Sequence, residues 1–261
     1  MPVQEPPAGG KAPKKPPGKL RADQALVDRG LVESRAKAQA LILAGQVLTG
    51  TRRVDKPGQP VALDQPLTVK GQEHPWVSRG GIKLAHGLDH FAIDPAGAVA
   101  IDVGASTGGF TDVLLTRGAA RVYAVDVGHG QLAWKLRSDP RVVVLERTNA
   151  RHLTAAEIPE PADLVVCDAS FIGLDKVLPA ALALAKPGAH LVALIKPQFE
   201  VGPDKVGKGG VVRDAELHRE TCERVAAWLP TQTGWQVLGI EESPITGPEG
   251  NREFLIAGRK A

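Results

Sequence analysis

From residue 80 onward the chain alternates short, almost continuous apolar runs with stretches of helical length. The runs Val99–Val103, Arg121–Val125 and Val142–Leu145, and those at 163–167, 190–196, 235–240 and 253–257, read as strands. Their unbroken apolar character is that of strands covered on both faces. Strand and helix in regular alternation predict an α/β fold with a doubly wound, mostly parallel sheet, whose ligand sits beyond the carboxyl ends of the strands. The first third reads differently. Apolar positions recur at helical spacing from Leu20 through Ala25, Leu26 and Val27, and Gly30 stops the run. Ser34 then caps a second helix carrying Ala36, Ala40, Leu41 and Leu43, which ends at Gly45, and residues 46–50 form a strand entering a turn. The pattern divides the chain into a small α+β domain over 19–73, a connector at 74–80 containing His74-Pro75-Trp76-Val77, and a large domain over 81–261. Residues 1–18 mix Pro, Gly and Lys with almost nothing apolar, a composition that cannot offset the entropy of ordering, so a disordered tail is expected.

Composition changes this picture in two ways. No segment approaches roughly 18 consecutive apolar residues and the start of the chain is polar, which argues against a membrane span or secretory leader and for a cytoplasmic protein. The two cysteines, Cys167 and Cys222, offer neither a disulfide framework nor metal-ligand spacing, so no metal is expected. Charge is unevenly placed. Residues 1–80 hold 13 Lys/Arg against 7 Asp/Glu, whereas the remainder holds 19 against 22, so the net +3 of the chain belongs to its first third. Such a split suits a first domain that meets a polyanion and a second that does something else.

The first strand of the large domain runs into Asp102-Val103-Gly104-Ala105-Ser106-Thr107-Gly108-Gly109-Phe110. Gly104, Gly108 and Gly109 permit a tight turn and a close ligand approach at the start of the next helix, and Asp126 closes the second strand where an acid can bond ribose hydroxyls. The spacing is not the G-x-G-x-x-G of dinucleotide folds. Four further charges stand at predicted element ends: Lys83, Asp168, Lys196 and Glu253. Charges beside apolar strands carry a large desolvation cost unless they face a cleft. A lysine held near two carboxylates can orient a hydroxyl and stabilise a developing alkoxide. Cys167 lacks a Pro-Cys context for cytosine C5 chemistry. Asp168-Ala169-Ser170-Phe171 stands where exocyclic-amine enzymes show Asn/Asp-Pro-Pro-Tyr/Phe.

Four resemblances follow from these residues and those around them. Asp-x-Gly-x-x-x-Gly-Gly-Phe with a downstream acid resembles the S-adenosylmethionine loop of class I (Rossmann-like) methyltransferases. That resemblance implies cofactor contacts from Asp102, Gly104, Ser106, Thr107, Gly108, Gly109, Phe110, Asp126, Asn149 and Asp168. The order Lys83-Asp168-Lys196-Glu253 is similar to the Lys-Asp-Lys-Glu catalytic tetrad of FtsJ-like RNA 2′-O-methyltransferases. Residues 20–70, with Arg21-Ala22-Asp23-Gln24-Ala25-Leu26 and Ser34-Arg35-Ala36-Lys37-Ala38, resemble the alpha-L RNA-binding domain, which implies RNA contacts from Arg21, Ser34, Arg35, Lys37, Arg52 and Lys56. A phosphate at the start of the second helix would compensate Arg35 and Lys37 against the helix dipole. Together with Ile195-Lys196-Pro197-Gln198-Phe199-Glu200 and the Gly-rich stretch at 206–214, the architecture resembles the TlyA family across nearly all of residues 20–260. The resemblance implies methyl transfer from S-adenosylmethionine to a ribose 2′-hydroxyl, of cytidine, in small-subunit rRNA, large-subunit rRNA or both, within ribosomal subunits, by an enzyme expected to be monomeric. The alternatives are a non-catalytic ribosome-assembly factor and the membrane-active hemolysin that some family names suggest.

Overall fold

A computed structural model describes residues 18–29, 31–32, 34–63, 65–70, 74–247 and 249–261. The expected tail, the stop at Gly30 and the boundary at residue 73 lie outside the described residues.

The N-terminal module comprises β1 (Lys19–Arg21), α1 (Ala22–Asp28), α2 (Arg35–Leu43), β2 (Val47–Thr49), β3 (Arg52–Arg53), β4 (Pro60–Ala62) and β5 (Thr68–Val69). Leu20, expected to open the first helix, lies instead in β1, where antiparallel pairing with Val61 of β4 captures it. The apolar face of α2 is also turned from the expected one. Ala38 and Ile42, an i, i+4 pair, are buried against Ala22, Ala25 and Leu26, whereas Leu43 is 68% exposed. Ser34 does cap α2, accepting from the Lys37 amide at 3.2 Å, and the helix ends before Gly45 at φ +70°.

The helix pair is tied together by one carboxylate. Asp23 is completely buried and accepts from Arg21 Nε at 3.0 Å, Arg35 at 3.0 Å, Gln39 Nε2 at 3.1 Å and the Gln24 amide at 3.0 Å. The charge of Arg35 at the start of α2 is thus compensated from within the protein. The Arg21 guanidinium outweighs burial and holds the Asp23 carboxyl well below the usual carboxylate range.

The larger unit begins with α3 (Gly80–His90) and alternates β6 (Val99–Val103), α4 (Gly109–Thr116), β7 (Arg121–Val125), α5 (Trp134–Arg137), β8 (Val142–Leu145), β9 (Ala162–Cys167), α6 (Leu174–Val177), α7 (Pro179–Ala183), β10 (Ala185–Ile195), α8 (Pro197–Glu200), α9 (Ala215–Trp228), β11 (Trp235–Glu242) and β12 (Phe254–Lys260). All seven expected strands are present. They form one sheet in the order β11-β12-β10-β9-β6-β7-β8. The five strands from β10 to β8 are parallel, and β12 enters antiparallel between β10 and β11. Alternate residues feed two cores. Ile101, Val103, Val165 and Cys167 pack on the face covered by α6, α7 and α9, while Ala100, Val122, Leu164 and Val166 pack on the face covered by α3 and α4. The rim at the carboxyl ends of the parallel strands is where the polar residues gather. Among the described residues, no helix is long and apolar enough to cross a membrane.

Replacing Asp23 by Asn removes the charge that three side chains share, and should destabilise the N-terminal module by about 1–3 kcal/mol. Because its pKa is depressed in the folded state, the contribution is fully present above pH ~4 and fades as pH falls further. Hydrogen exchange of α1 and α2 should therefore accelerate in Asp23→Asn at pH 7, with little change in β6 and β9. Equal protection in both proteins would overturn this account.

Candidate active site

The site is assembled where β6, β9 and β10 end, under a helix that the connector fixes in place. The Val77 amide donates to Asp112 Oδ2 of α4 at 2.8 Å, and Lys135 Nζ reaches the same oxygen at 2.9 Å. Trp76 lies so close to the start of α3 that a Cβ on Gly81 would fall 2.3 Å from its side chain. The connector is thus packed on the large unit, and α3 starts at Gly80 beneath it.

Lys83, in the first turns of α3, is buried and donates to Glu253 Oε2 at 2.5 Å, which is equally buried just ahead of β12. Lys196 leaves the end of β10 and precedes Pro197, whose fixed φ starts α8. Its ammonium lies 2.6 Å from Asp168 Oδ1 and donates to the Asp168 carbonyl and to Ser170 Oγ, both at 3.0 Å. Asp168 is held at the end of β9 by its own amide, which donates to the Val103 carbonyl of β6 at 3.1 Å. The two ion pairs face one cavity of about 1040 Å³, lined by all four residues. Four charges from three strand ends and a helix, 170 residues apart at the extremes, are therefore brought to one cavity.

Their protonation follows from this geometry. Burial works to lower the pKa of Lys196, but the Asp168 carboxylate, aided by Glu253, outweighs it and holds the ammonium above the ordinary lysine range. Lys196 is consequently protonated in the free protein at neutral pH. Burial pushes the neighbouring Cys167 thiol up to about 12, so it carries no thiolate for nucleophilic attack.

The loop after β6 supplies the opposite wall of the cavity through Gly104, Ala105, Ser106, Thr107, Gly109 and Phe110. Gly104 and Gly108 adopt φ of +81° and +96°, and Ser106 shares this left-handed region at +47°. The glycines serve internal packing as much as ligand approach. A Cβ on Gly108 would meet Leu136 at 2.2 Å, and one on Gly104 would meet the Ala169 backbone at 2.8 Å. Asp126 accepts from the amides of Ser106 and Gly128 at 2.8 and 2.7 Å, fixing the loop's shape, while Asn149 is exposed and caps a short turn through the Arg151 amide. Neither they, Gly108 nor Asp102 belongs to the cavity lining. Asp102 is completely enclosed. Thr111 Oγ1 donates to its Oδ2 at 2.6 Å, its Oδ1 has no hydrogen-bond partner, and burial pushes the carboxyl up to about 7. The cavity wall of loop backbone with Ser106 and Thr107, backed by this orphaned acid, suits a polar, cationic nucleoside.

Several residues lining the cavity escaped the sequence reading. Phe171 follows Asp168-Ala169-Ser170 in a left-handed conformation, φ +66°, is 88% exposed, and rests on Phe199 with ring centroids 4.9 Å apart. Gln198 lines the same space, and its buried Oε1 has no hydrogen-bond partner. Asn251 is buried and ties the Gly-rich loop down, accepting from Val212 N and donating to the Gly210 carbonyl at 2.9 Å. Phe171 had a signal, an aromatic four residues past a strand end, but its exposure is a tertiary property. Of the basic residues expected in the N-terminal module, Lys37 lines this cavity together with Lys70, whereas Arg21 and Lys56 line a separate, shallow cleft. Arg52 is exposed on β3, Ser34 is occupied as a cap and Arg35 is paired with Asp23.

This arrangement has close counterparts. Residues 76–260 match the FtsJ-like methyltransferases and residues 20–65 match the S4 domain. The chain is 52% identical over 239 residues, 91% of its length and 89% of the other, to the 16S/23S rRNA (cytidine-2′-O)-methyltransferase TlyA of Mycobacterium tuberculosis. It is 39% identical to hemolysin A of Brachyspira hyodysenteriae, covering 90% of this chain and 98% of that one. A solved Streptococcus thermophilus structure described as a hemolysin shares 41% identity and a TM-score of 0.74, over 94% of this chain and 89% of that chain. The chain belongs to the FtsJ-like methyltransferases and, within them, to the TlyA family.

The buried acid gives a pH-dependent test. A carboxyl raised from its ordinary value to about 7 disfavours folding increasingly as pH climbs from 4 to 7, because the unfolded chain ionises first. Asp102→Asn, which keeps an acceptor for Thr111, should melt several degrees above the wild type at pH 8, the gap closing as pH falls toward 4. Coincident melting curves at pH 8 would show that Asp102 is not strained by burial.

Proposed function

We propose that this chain transfers the methyl group of S-adenosylmethionine to a ribose 2′-hydroxyl of ribosomal RNA, cytidine being the nucleoside named for its relatives. The observation that carries the reading is the protonated Lys196, held between Asp168, Ser170 and an open cavity beside the Lys83–Glu253 pair. When bound, S-adenosylmethionine supplies a methyl group on a sulfonium, an electrophile that needs no further activation. The protein's task is then to aim a poor nucleophile. Lys196, which already carries a proton, donates a hydrogen bond to the 2′-oxygen and stabilises the negative charge that develops there; as the O–CH3 bond forms and the S–CH3 bond breaks, the hydroxyl proton leaves late, to water in the open cavity. Asp168 keeps that ammonium charged and pointed into the cavity. Lys83 and Glu253 are positioning residues, which fix the wall against which the ribose lies.

Gly104, Ser106, Thr107, Gly109 and Phe110 would hold the cofactor from the cavity wall, with Asp102, Gly108, Asp126 and Asn149 acting through the shape of the loops around it. RNA would enter between the two units. Lys37 and Lys70 stand on one side of the cleft, and Phe171 offers an exposed ring on which a base can stack at a cost in backbone strain. The remaining module residues, Arg21, Ser34, Arg35, Arg52 and Lys56, present a basic, half-exposed surface suited to phosphates and RNA shape. A hemolysin name among the relatives finds no support in a membrane-spanning helix among the described residues.

Purified protein, labelled S-adenosylmethionine and ribosomal subunits test the reaction. Label should resist alkaline cleavage at the modified nucleotide and segregate with the ribose. Label in the base would sink the ribose assignment, and RNA binding without transfer would favour an assembly factor. Lys196→Ala should lower kcat by about 10²-fold or more while leaving cofactor affinity within a few-fold. Phe171→Ala should raise KM for RNA by roughly 5- to 160-fold, equivalent to 1–3 kcal/mol of lost stacking, with kcat reduced less. Lys37→Ala and Lys56→Ala should each flatten the salt dependence of RNA binding by about one unit of slope. Arg35→Ala is a poorer probe, because it also strips a partner from Asp23.

A further inference from the structure

Further along α3 from Lys83, the helix and the edge strand β11 bring together a group of side chains that methyl transfer does not use. His86 and His90 lie one turn apart on α3, and Glu241 projects from β11 toward both. Their ligand atoms all lie within 4.8 Å of one another. His86 Nε2 is 3.4 Å from Glu241 Oε1 and His90 Nε2 is 3.8 Å from Oε2. These distances are long for hydrogen bonds and short for unrelated groups. His86 Nε2 is shielded from solvent and has no hydrogen-bond partner, a condition that buried polar atoms rarely tolerate without a reason.

We propose that His86, His90 and Glu241 form a binding site for a divalent transition metal of the zinc class, which clamps α3 to β11. Two imidazoles at i and i+4 with one carboxylate are a donor set that suits zinc, with water completing a tetrahedron. Bonds of about 2.0–2.2 Å would bring the donor atoms to roughly 3.3 Å from each other. That needs only side-chain rotation of about an ångström from the present positions. It runs against the sequence-based expectation of no metal, which weighed the cysteines and not this histidine spacing. The site's place on the helix gives it a consequence. Lys83, His86 and His90 fall at i, i+3 and i+7, so they share a face of α3, with His90 about 10 Å along the axis from Lys83. Glu241 pairs across the sheet with Leu255, two residues after Glu253. The clamp therefore fastens the helix that holds Lys83 to β11, the immediate neighbour of the strand that presents its partner.

The test uses the full chain without a histidine tag, stripped of metal by a chelator and dialysed. Titration with Zn²⁺ alone, followed by calorimetry, should show one equivalent bound, and the melting temperature should rise with free Zn²⁺. Hydrogen exchange in α3 and β11 should slow on binding. His90→Ala and Glu241→Gln should each weaken binding at least tenfold, whereas His152→Ala, on a distant turn, should not. Absence of stoichiometric binding would overturn the proposal. So would undiminished binding in a folded double variant, His90→Ala with Glu241→Gln.

Discussion

The sheet's carboxyl rim is organised by a single constraint: two lysines and two acids are enclosed there, and none can be enclosed alone. Lys83 and Glu253 are almost wholly shielded from solvent, and Lys196 nearly so. An isolated charge in such surroundings would cost several kcal/mol, a large part of a domain's net stability. The two pairs remove that cost only if α3, β9, β10 and β12 reach the rim in register. Much of the structure serves that end, including the Asp168 amide joined to β6, the proline that turns the chain after Lys196, and the Asp112 bond that holds the connector against α4 at the start of α3. The pairing that makes the charges tolerable also sets their chemistry, because an ammonium held charged by a carboxylate can donate but not accept.

The large unit was legible in the sequence because its strands are buried on both faces. Runs such as Val99–Val103 and Val142–Leu145 have no polar alternation to confuse them. The Gly-rich turn after β6 and the four charges at element ends were legible for the same reason, as each interrupts an apolar pattern. The N-terminal module was harder. Its elements are short, so Leu20 could be read as helix or strand, and only its pairing with Val61 decides. In α2, alanines populate every face, and the packing partner on α1 selects Ala38 and Ile42 over Leu43.

Binding residues were less legible than structural ones. Arg35 looks like a free phosphate ligand in the sequence because Asp23, its partner, lies 12 positions earlier and on another helix. Asp102 looks like a ligand contact because it precedes the glycines, yet its carboxylate is turned inward to Thr111. Phe171, Gln198 and Asn251 carry no motif, and their exposure or burial exists only once β9, β10 and β12 lie side by side. What a sequence shows well is where a pattern breaks. Which side of a break faces the cleft is a property of the assembled sheet.

The antiparallel entry of β12 has a consequence of its own. In the parallel strands the rim receives the last residues, but in β12 it receives the first, and the connection from β11 therefore crosses the rim as a hairpin loop. That loop carries Ile245, Thr246, Glu249 and Asn251 along the cleft wall, beside Glu253. It is anchored at both ends by adjacent strands, and Asn251 joins it to the Gly-rich loop, so residues other than Asn251 can change without shifting a strand. Divergence in the shape of RNA accepted by different members of this architecture can accordingly be accommodated in one short interval, while the charges beside it stay fixed.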